Sequence, residues 1–454
     1  MIQHKKVTHV VQNHIAKSVS LMVSAVLVCT LATAAQAGPE VESWQAASGA
    51  RVLYVASRSL PMLDVSVDFP GGSSRDASDK SGLASMTLRM MRKGTNSLDE
   101  NRISEELADV GARLSPRFDL DRSGYVLRSL SDKYALDKAL EVLRDIVASP
   151  SFPADVLERE KARTIASIEE RGIRPGVIAA QTFSRLLYGD HPYGASSTGE
   201  PETVAALSRD DLEAFHRQHY VAQDAVVTIV GDVSKQEAQR IAEDITLGLP
   251  RANGSLAALP PVAQTTEGAE VVIPHAASQA HIYIGMPGVR RGDPDYFPLW
   301  IAGQILGGGG MTSMLNEELR EKRGLTYSVY SYFSPYSLPG PFAIRMQTRK
   351  DQAWEALDVA MDTLEQFIAE GPTEEQLQAA KRYVIGGFAL NIDSNAELVG
   401  YLAMVGFYQL PLDYLDRFPE QISKVTLSEV KDALRRRLTP SRMVAVVVGP
   451  DARP

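Results

Sequence analysis

The feature that most constrains the fold is an internal repeat of long period. Ser208-x-x-Asp211 opens a helix, and His216 to Tyr220 leads into Val226-Val227-Thr228-Ile229-Val230-Gly231. Thr426-x-x-Glu429 opens another helix, which leads to Val444-Ala445-Val446-Val447-Val448-Gly449. The caps (426 − 208) and the closing glycines (449 − 231) are both 218 residues apart. Each S/T-x-x-D/E is a helix N-cap pattern, and each Val-rich run ended by Gly reads as a strand. Two more matches keep this order. Pro153-Ala154-Asp155 with Leu157 and Lys161 pairs with Pro372-Thr373-Glu374, Leu377 and Lys381, and Val65–Gly71 pairs with His281–Gly288. An offset drifting around 218 means duplicated domains with small insertions, not a short-period solenoid.

Pro250 to Gly268, rich in Gly, Pro, Ala and Thr and without a period, separates the copies. The expected organisation is residues 1–37 as an export segment, 38–250 as the first domain, 251–268 as a linker and 269–454 as the second domain. Alternating strand patterns, such as Arg51 to Val65, occur beside helical spacing at Leu136, Leu140, Leu143 and Val147. The fold class read from this is α+β: two homologous domains, each a mostly antiparallel sheet with helices on one face.

Lys5, Lys6 and Lys17 precede an uncharged, largely apolar run from Ser18 that ends at Ala35-Gln36-Ala37, the pattern of a cleaved secretory signal. Periplasmic or secreted localisation is therefore expected, with no stable membrane anchor. The single Cys29 lies in this segment, so the mature chain has no thiol for a disulfide, a metal or nucleophilic catalysis. Removing three Lys takes the net charge from −9 to −12, which argues against a nucleic-acid partner.

Gly82-Leu83-Ala84-Ser85-Met86-Thr87-Leu88-Arg89-Met90-Met91-Arg92-Lys93-Gly94-Thr95 resembles the Gly-x-Ala-His-x-x-Glu-His-(apolar)₃-Lys-Gly-Thr signature of pitrilysin/insulinase-type (inverzincin) metallopeptidases. In that family the two His hold zinc and the Glu activates the metal-bound water. Here those positions are Ser85, Leu88 and Arg89. A third family ligand, a Glu on a later helix seven residues after another Glu, falls at Ser167 in the stretch that begins at Glu160. Leu and Arg cannot ligate zinc, and Arg sets a fixed positive charge beside the cation. All the ligands and the general base are missing together, so no metal is expected in this chain. The resemblance continues through His191-Pro192-Tyr193-Gly194, Phe215-His216-x-x-His219-Tyr220 and Val230-Gly231-Asp232. It implies a mitochondrial-processing-peptidase-like fold and two such chains facing each other around a peptide chamber.

Gly307-Gly308-Gly309-Gly310, a helix over Met314 to Arg323, Gly324 at its C′ position and the strand Leu325, Tyr327, Val329 resemble the family's Gly-rich segment and Leu-Arg-x-x-x-Gly-Leu-x-Tyr-Ser. The resemblance assigns Arg320 and Tyr327 to transition-state stabilisation in a partner's active site, where oriented donors act on the tetrahedral oxyanion. From the residues alone, Arg320 reads first as part of a solvated helix face and Tyr327 as sheet core; the family register reverses that preference. Gly308, Gly309 and Gly310 are candidate substrate-lining backbone; a phosphate loop lacks its Gly-Lys-Ser/Thr ending. His216 and His219, spaced i, i+3, lack the further donors of a metal site. The expected function is that of a zinc-less subunit of a heterodimeric periplasmic metallopeptidase, with zinc in a homologous partner subunit and a peptide as substrate. The alternatives are a non-hydrolytic peptide holdase and a structural subunit.

Overall fold

The computed structural model describes residues 40–252 and 254–453; the expected signal segment lies outside them. The first half builds strands β1 (Glu42–Gln45), β2 (Arg51–Ala56), β3 (Met62–Phe69), β4 (Arg113–Phe118), β5 (Ser123–Leu130) and β6 (Val226–Gly231). Its helices are α1 (Leu83–Met91), α2 (Glu100–Asp109), α3 (Lys133–Ala148), α4 (Ala154–Gly172), α5 (Pro175–Tyr188), α6 (Pro201–Ala206), α7 (Arg209–His219) and α8 (Lys235–Thr246). The second half builds β7 (Ala269–Pro274), β8 (Gln279–Pro287), β9 (Thr326–Phe333), β10 (Pro341–Arg349) and β11 (Val444–Gly449). Its helices are α9 (Tyr296–Gly303), α10 (Ala353–Glu370), α11 (Glu374–Phe388), α12 (Asn395–Phe407), α13 (Tyr414–Lys424) and α14 (Leu427–Arg437).

The two sheets run β1-β2-β6-β3-β5-β4 and β7-β11-β8-β10-β9. In each, one pair is parallel, β2 with β6 and β11 with β7, and the other neighbours are antiparallel. The repeat is visible in the strand starts: 269 − 51, 341 − 123 and 444 − 226 all equal 218. Ser208 and Thr426 both form reciprocal capping boxes, with Asp211 and Glu429. The alternating run from Arg51 is two strands, not one: Ser57 to Pro61 form the turn between β2 and β3.

One face of β3 (Leu63, Val65, Val67, Phe69) joins β2 and β6 residues and helices α1, α3, α7 and α8 in the first core. The opposite face is not left to solvent. Helix α12, from the second half, packs on β2, β3 and β6 through Met404 and Val405 against Leu53 and Val226. Reciprocally, α5 of the first half covers β8 and β11, setting Ala179, Phe183 and Leu187 among Tyr283, Val444, Val446 and Val448. Gly406 permits this approach, since a Cβ there would lie 2.7 Å from side-chain carbons of both Leu53 and Val226. Each sheet therefore has its own helices on one face and a single helix of the other half on the second face. Each half is thus the expected antiparallel-rich sheet with its own helices on one face, and the exchanged helix added on the other face makes the chain from Val41 onward one compact unit. Buried Asp121 reinforces the junction, accepting from Tyr193 Oη (2.6 Å), Tyr408 Oη (2.9 Å) and Ser337 N (2.7 Å).

Candidate functional site

Helix α1 carries the degenerate metal positions. It starts at Gly82, whose φ of 94° suits glycine, and Asp76 accepts from the N–H groups of Gly82 (2.8 Å) and Ala84 (2.7 Å). Burial pushes the Asp76 carboxyl up to about 7 in spite of those bonds. Ser85 turns its hydroxyl back to Gly82 O at 3.0 Å. Leu88 is buried in the first core. Arg89 leaves the helix and reaches the buried Glu160 on α4, Nη1 to Oε2 at 3.7 Å. Lys93 (3.4 Å) and Arg163 (3.0 Å) pair with the same carboxylate. Ser167 is exposed two turns further along α4. The structure thus answers the loss of a metal with side-chain cations that neutralise the acid left behind. Hydroxyls, an isobutyl group and a guanidinium do not fit zinc. Among the described residues no group of three His, Cys, Asp or Glu is placed to hold a metal ion.

The two histidines of α7 are core residues. His216 Nε2 lies 2.8 Å from Val147 O, and burial pulls the imidazole pKa down to about 4. Burial, with the nearby Arg75, does the same for His219.

In the second half, Arg320 and Tyr327 do meet. Helix α9 runs into a π-helical turn over Gln304–Gly308, and Asn316–Glu321 form another. The expected helix over Met314 to Arg323 is therefore present but widened. Gly324, at φ 63°, ends it. The chain turns directly into β9, and the Arg320 guanidinium carbon sits 4.8 Å from the centroid of the Tyr327 ring, a cation–π stack. Tyr327 is 83% exposed, so it is not sheet core. Arg320 Nη1 lies 2.9 Å from Met311 Sδ and its Nε 3.6 Å from Glu321 Oε1. Asn316 Nδ2 anchors the glycine-rich bend by donating to Gly310 O at 3.0 Å and Val329 O at 3.2 Å. Gly308 and Gly309 pack on Gln304, whereas a Cβ at Gly310 would meet nothing within 4 Å. The glycine that the geometry needs most is Gly307, where a Cβ would lie 2.5 Å from Ser331 N. Glu160 and Asp121 carry no sequence signal of their roles, because their burial and their long-range partners arise only in the folded chain.

Two family profiles cover most of the chain. "Insulinase (Peptidase family M16)" matches residues 51–196, and "Peptidase M16 inactive domain" matches residues 206–384. The crystal structure of a peptidase M16 inactive domain from Pseudomonas fluorescens superposes with a TM-score of 0.87 at 36% identity, over 91% of this chain and 98% of that one. The chain belongs to peptidase family M16. Among other M16 relatives, a Bacillus subtilis protein described as the uncharacterized zinc protease YmxG is 24% identical over 90% of this chain and 98% of its own length. A Helicobacter pylori protein described as a non-peptidase homolog is 24% identical over 85% and 88%. With its metal positions replaced, this chain is an inactive-type M16 protein.

Proposed function

We propose that the chain is the zinc-less subunit of a two-chain exported peptidase, completing the peptide chamber of a zinc-bearing M16 partner. The observation that carries this reading is the exposed Arg320–Tyr327 stack. Its two donors have no carboxylate closer than Glu321 and leave the Tyr hydroxyl in solvent, as a site built to act on something outside the chain requires. Preorganised donors of this kind stabilise charge that develops in an acyl-transfer transition state once water is excluded. The apolar run ending at Ala37 supports export to the periplasm or beyond.

The test is turnover of a fluorogenic peptide by this chain, by a zinc-bearing M16 chain and by the two mixed, with assembly followed by size-exclusion chromatography. The chain alone should be inactive and hold far less than one zinc after dialysis; the mixture should exceed the zinc-bearing chain alone. Normal assembly with wild-type turnover by both Tyr327→Phe and Arg320→Ala would overturn the catalytic role and leave a holdase.

A further inference from the structure

Helices α9, α11, α12 and α13 line a half-open cavity of about 760 Å³ that includes neither the α1 positions nor the Arg320–Tyr327 pair. Its wall is aromatic: Tyr296, Trp300, Phe388, Tyr401, Tyr414 and Phe418 line it. The rings brace one another, with Phe388 stacked on Phe418 at 4.5 Å and Trp300 edge-on to Tyr296 at 5.4 Å. Two lining side chains, Tyr383 (63% exposed) and Leu390 (68%), stay largely in solvent. A concave aromatic wall with exposed apolar residues beside it is a binding surface for an apolar group.

One charge in this wall has no counterion. Arg291 lines the cavity, yet no carboxylate among the described residues lies within salt-bridge distance of it. Its Nε is buried without an acceptor, and Trp300 Nε1 is likewise unpaired. The acids nearest in sequence are taken: Asp293 by Arg437 at 2.8 Å, and Asp295 by Arg436 and Arg437 at 2.7 Å each. The other contacts of the Arg291 side chain are neutral: the guanidinium lies 5.8 Å from the Tyr296 centroid and 5.5 Å from that of Tyr408, and Nη1 makes one long bond to Tyr296 Oη at 3.5 Å. The one acid lining the cavity, Glu397, is exposed and accepts from Ser394 Oγ at 2.8 Å as part of the α12 cap, with Asp393 beside it. An uncompensated guanidinium in an aromatic wall selects an anion attached to an apolar body.

We propose that this cavity holds the carboxy-terminal residue of a peptide, with its apolar side chain against the aromatic wall and its α-carboxylate on Arg291. Tyr hydroxyls, Gln304 and Asn391 in the lining offer partners for peptide amides, which an acyl chain would leave unpaired. The inference rests on the reading of the chain as a peptide-handling subunit, and it names what such a peptide presents.

The experiment uses the mature chain alone and follows tryptophan fluorescence during titration with N-acetyl-Ala-Ala-Phe as the free acid, the same peptide as its C-terminal amide, and decanoate. The free acid should bind about 10- to 100-fold more tightly than the amide, the range of a hydrogen bond to a charged group. Arg291→Gln should remove that preference and leave amide binding as it was. Gly387→Phe should block both peptides, because Gly387 lines the cavity and a Cβ there meets nothing within 4 Å. Circular dichroism and melting verify that each variant folds, and Gly387→Phe decides the question if Arg291→Gln does not fold. Absence of saturable acid binding, equal affinity for acid and amide, peptide binding undiminished in Gly387→Phe, or decanoate binding more tightly than the acid peptide would each overturn the proposal. The readout is binding to one chain, so loss of the Arg320 and Tyr327 effects on turnover would sink the proposed function without touching this result, and the reverse.

Discussion

The two halves of the molecule have treated their inherited site positions in opposite ways. On α1 every position that could hold a metal has been absorbed into structure: Ser85 bonds its own helix, Leu88 joins the core and Arg89 pairs with Glu160. Around β9, a half-buried Arg320 stacks on Tyr327, whose ring is left open to solvent. Residues released from chemistry settle into contacts that lower the folding free energy. An exposed stack gains little stability, since a cation–π contact in water contributes only about 0.5–1 kcal/mol. Stability alone therefore explains α1 but not the second site.

The sharpest way to break this contrast is to compare activity with stability at the second site. In the reconstituted pair, Tyr327→Phe or Arg320→Ala should lower kcat by about 10²–10³, the effect of removing one oxyanion donor, with a melting temperature close to wild type. A large fall in melting temperature with unchanged kcat would reverse the assignment.

The closing helices sharpen the comparison further. His216 and His219 of α7 correspond at +218 to Leu434 and Arg437 of α14, so only the first half buries imidazoles there. Both folded pKa values are depressed to about 4, below the unfolded value near 6.5. Between those limits the unfolded chain binds protons that the folded chain refuses. Their contribution is thus complete above about pH 6.5 and is lost as pH falls towards 4. Asp76, pushed up to about 7, acts in the opposite sense over the same interval. The His219 contribution is therefore isolated by difference: in denaturant titrations, His219→Gln should reduce the slope of stability against pH by about 1.4 kcal/mol per unit within that window. An unchanged slope would mean that His219 is protonated in the folded protein.

Smaller effects are expected on the α1–α4 ion cluster. Glu160→Gln removes the buried acid that Arg89, Lys93 and Arg163 share and should cost about 1–3 kcal/mol in urea unfolding, below the full buried-pair penalty because its partners are partly solvated. Arg89→Ala removes one cation of several, itself half in solvent, and should cost at most about 1 kcal/mol. A larger loss for Arg89→Ala than for Glu160→Gln would show that Arg89 carries the cluster and that the other cations are bystanders.

Features that a few neighbouring residues determine were legible in the sequence. The capping boxes at Ser208 and Thr426, the Val-rich strands that close each half, and the replacement of every metal-site residue at Ser85, Leu88, Arg89 and Ser167 all follow from side-chain chemistry over short spans. Local pattern also placed Gly324 as the break that turns Arg320 towards Tyr327. It could not say which sheet a helix covers. Helix α5 looks like an ordinary amphipathic helix and α12, apolar nearly all round, reads only as a buried one; the packing of Phe183 against Tyr283, and of Val405 against the β2–β6 face, is what sends each to the opposite half. The same holds for Glu160, to which Arg89 and Lys93 reach across from α1 and the turn after it, and for Arg291, left without a counterion because Arg436 and Arg437 arrive from about 140 residues away to claim Asp293 and Asp295. Caps and periodicities are decided by atoms one helical turn or one strand apart. Which buried face meets which, and which charge stays unpaired, depends on the free energy of burial across the whole chain, and only the tertiary structure could decide it.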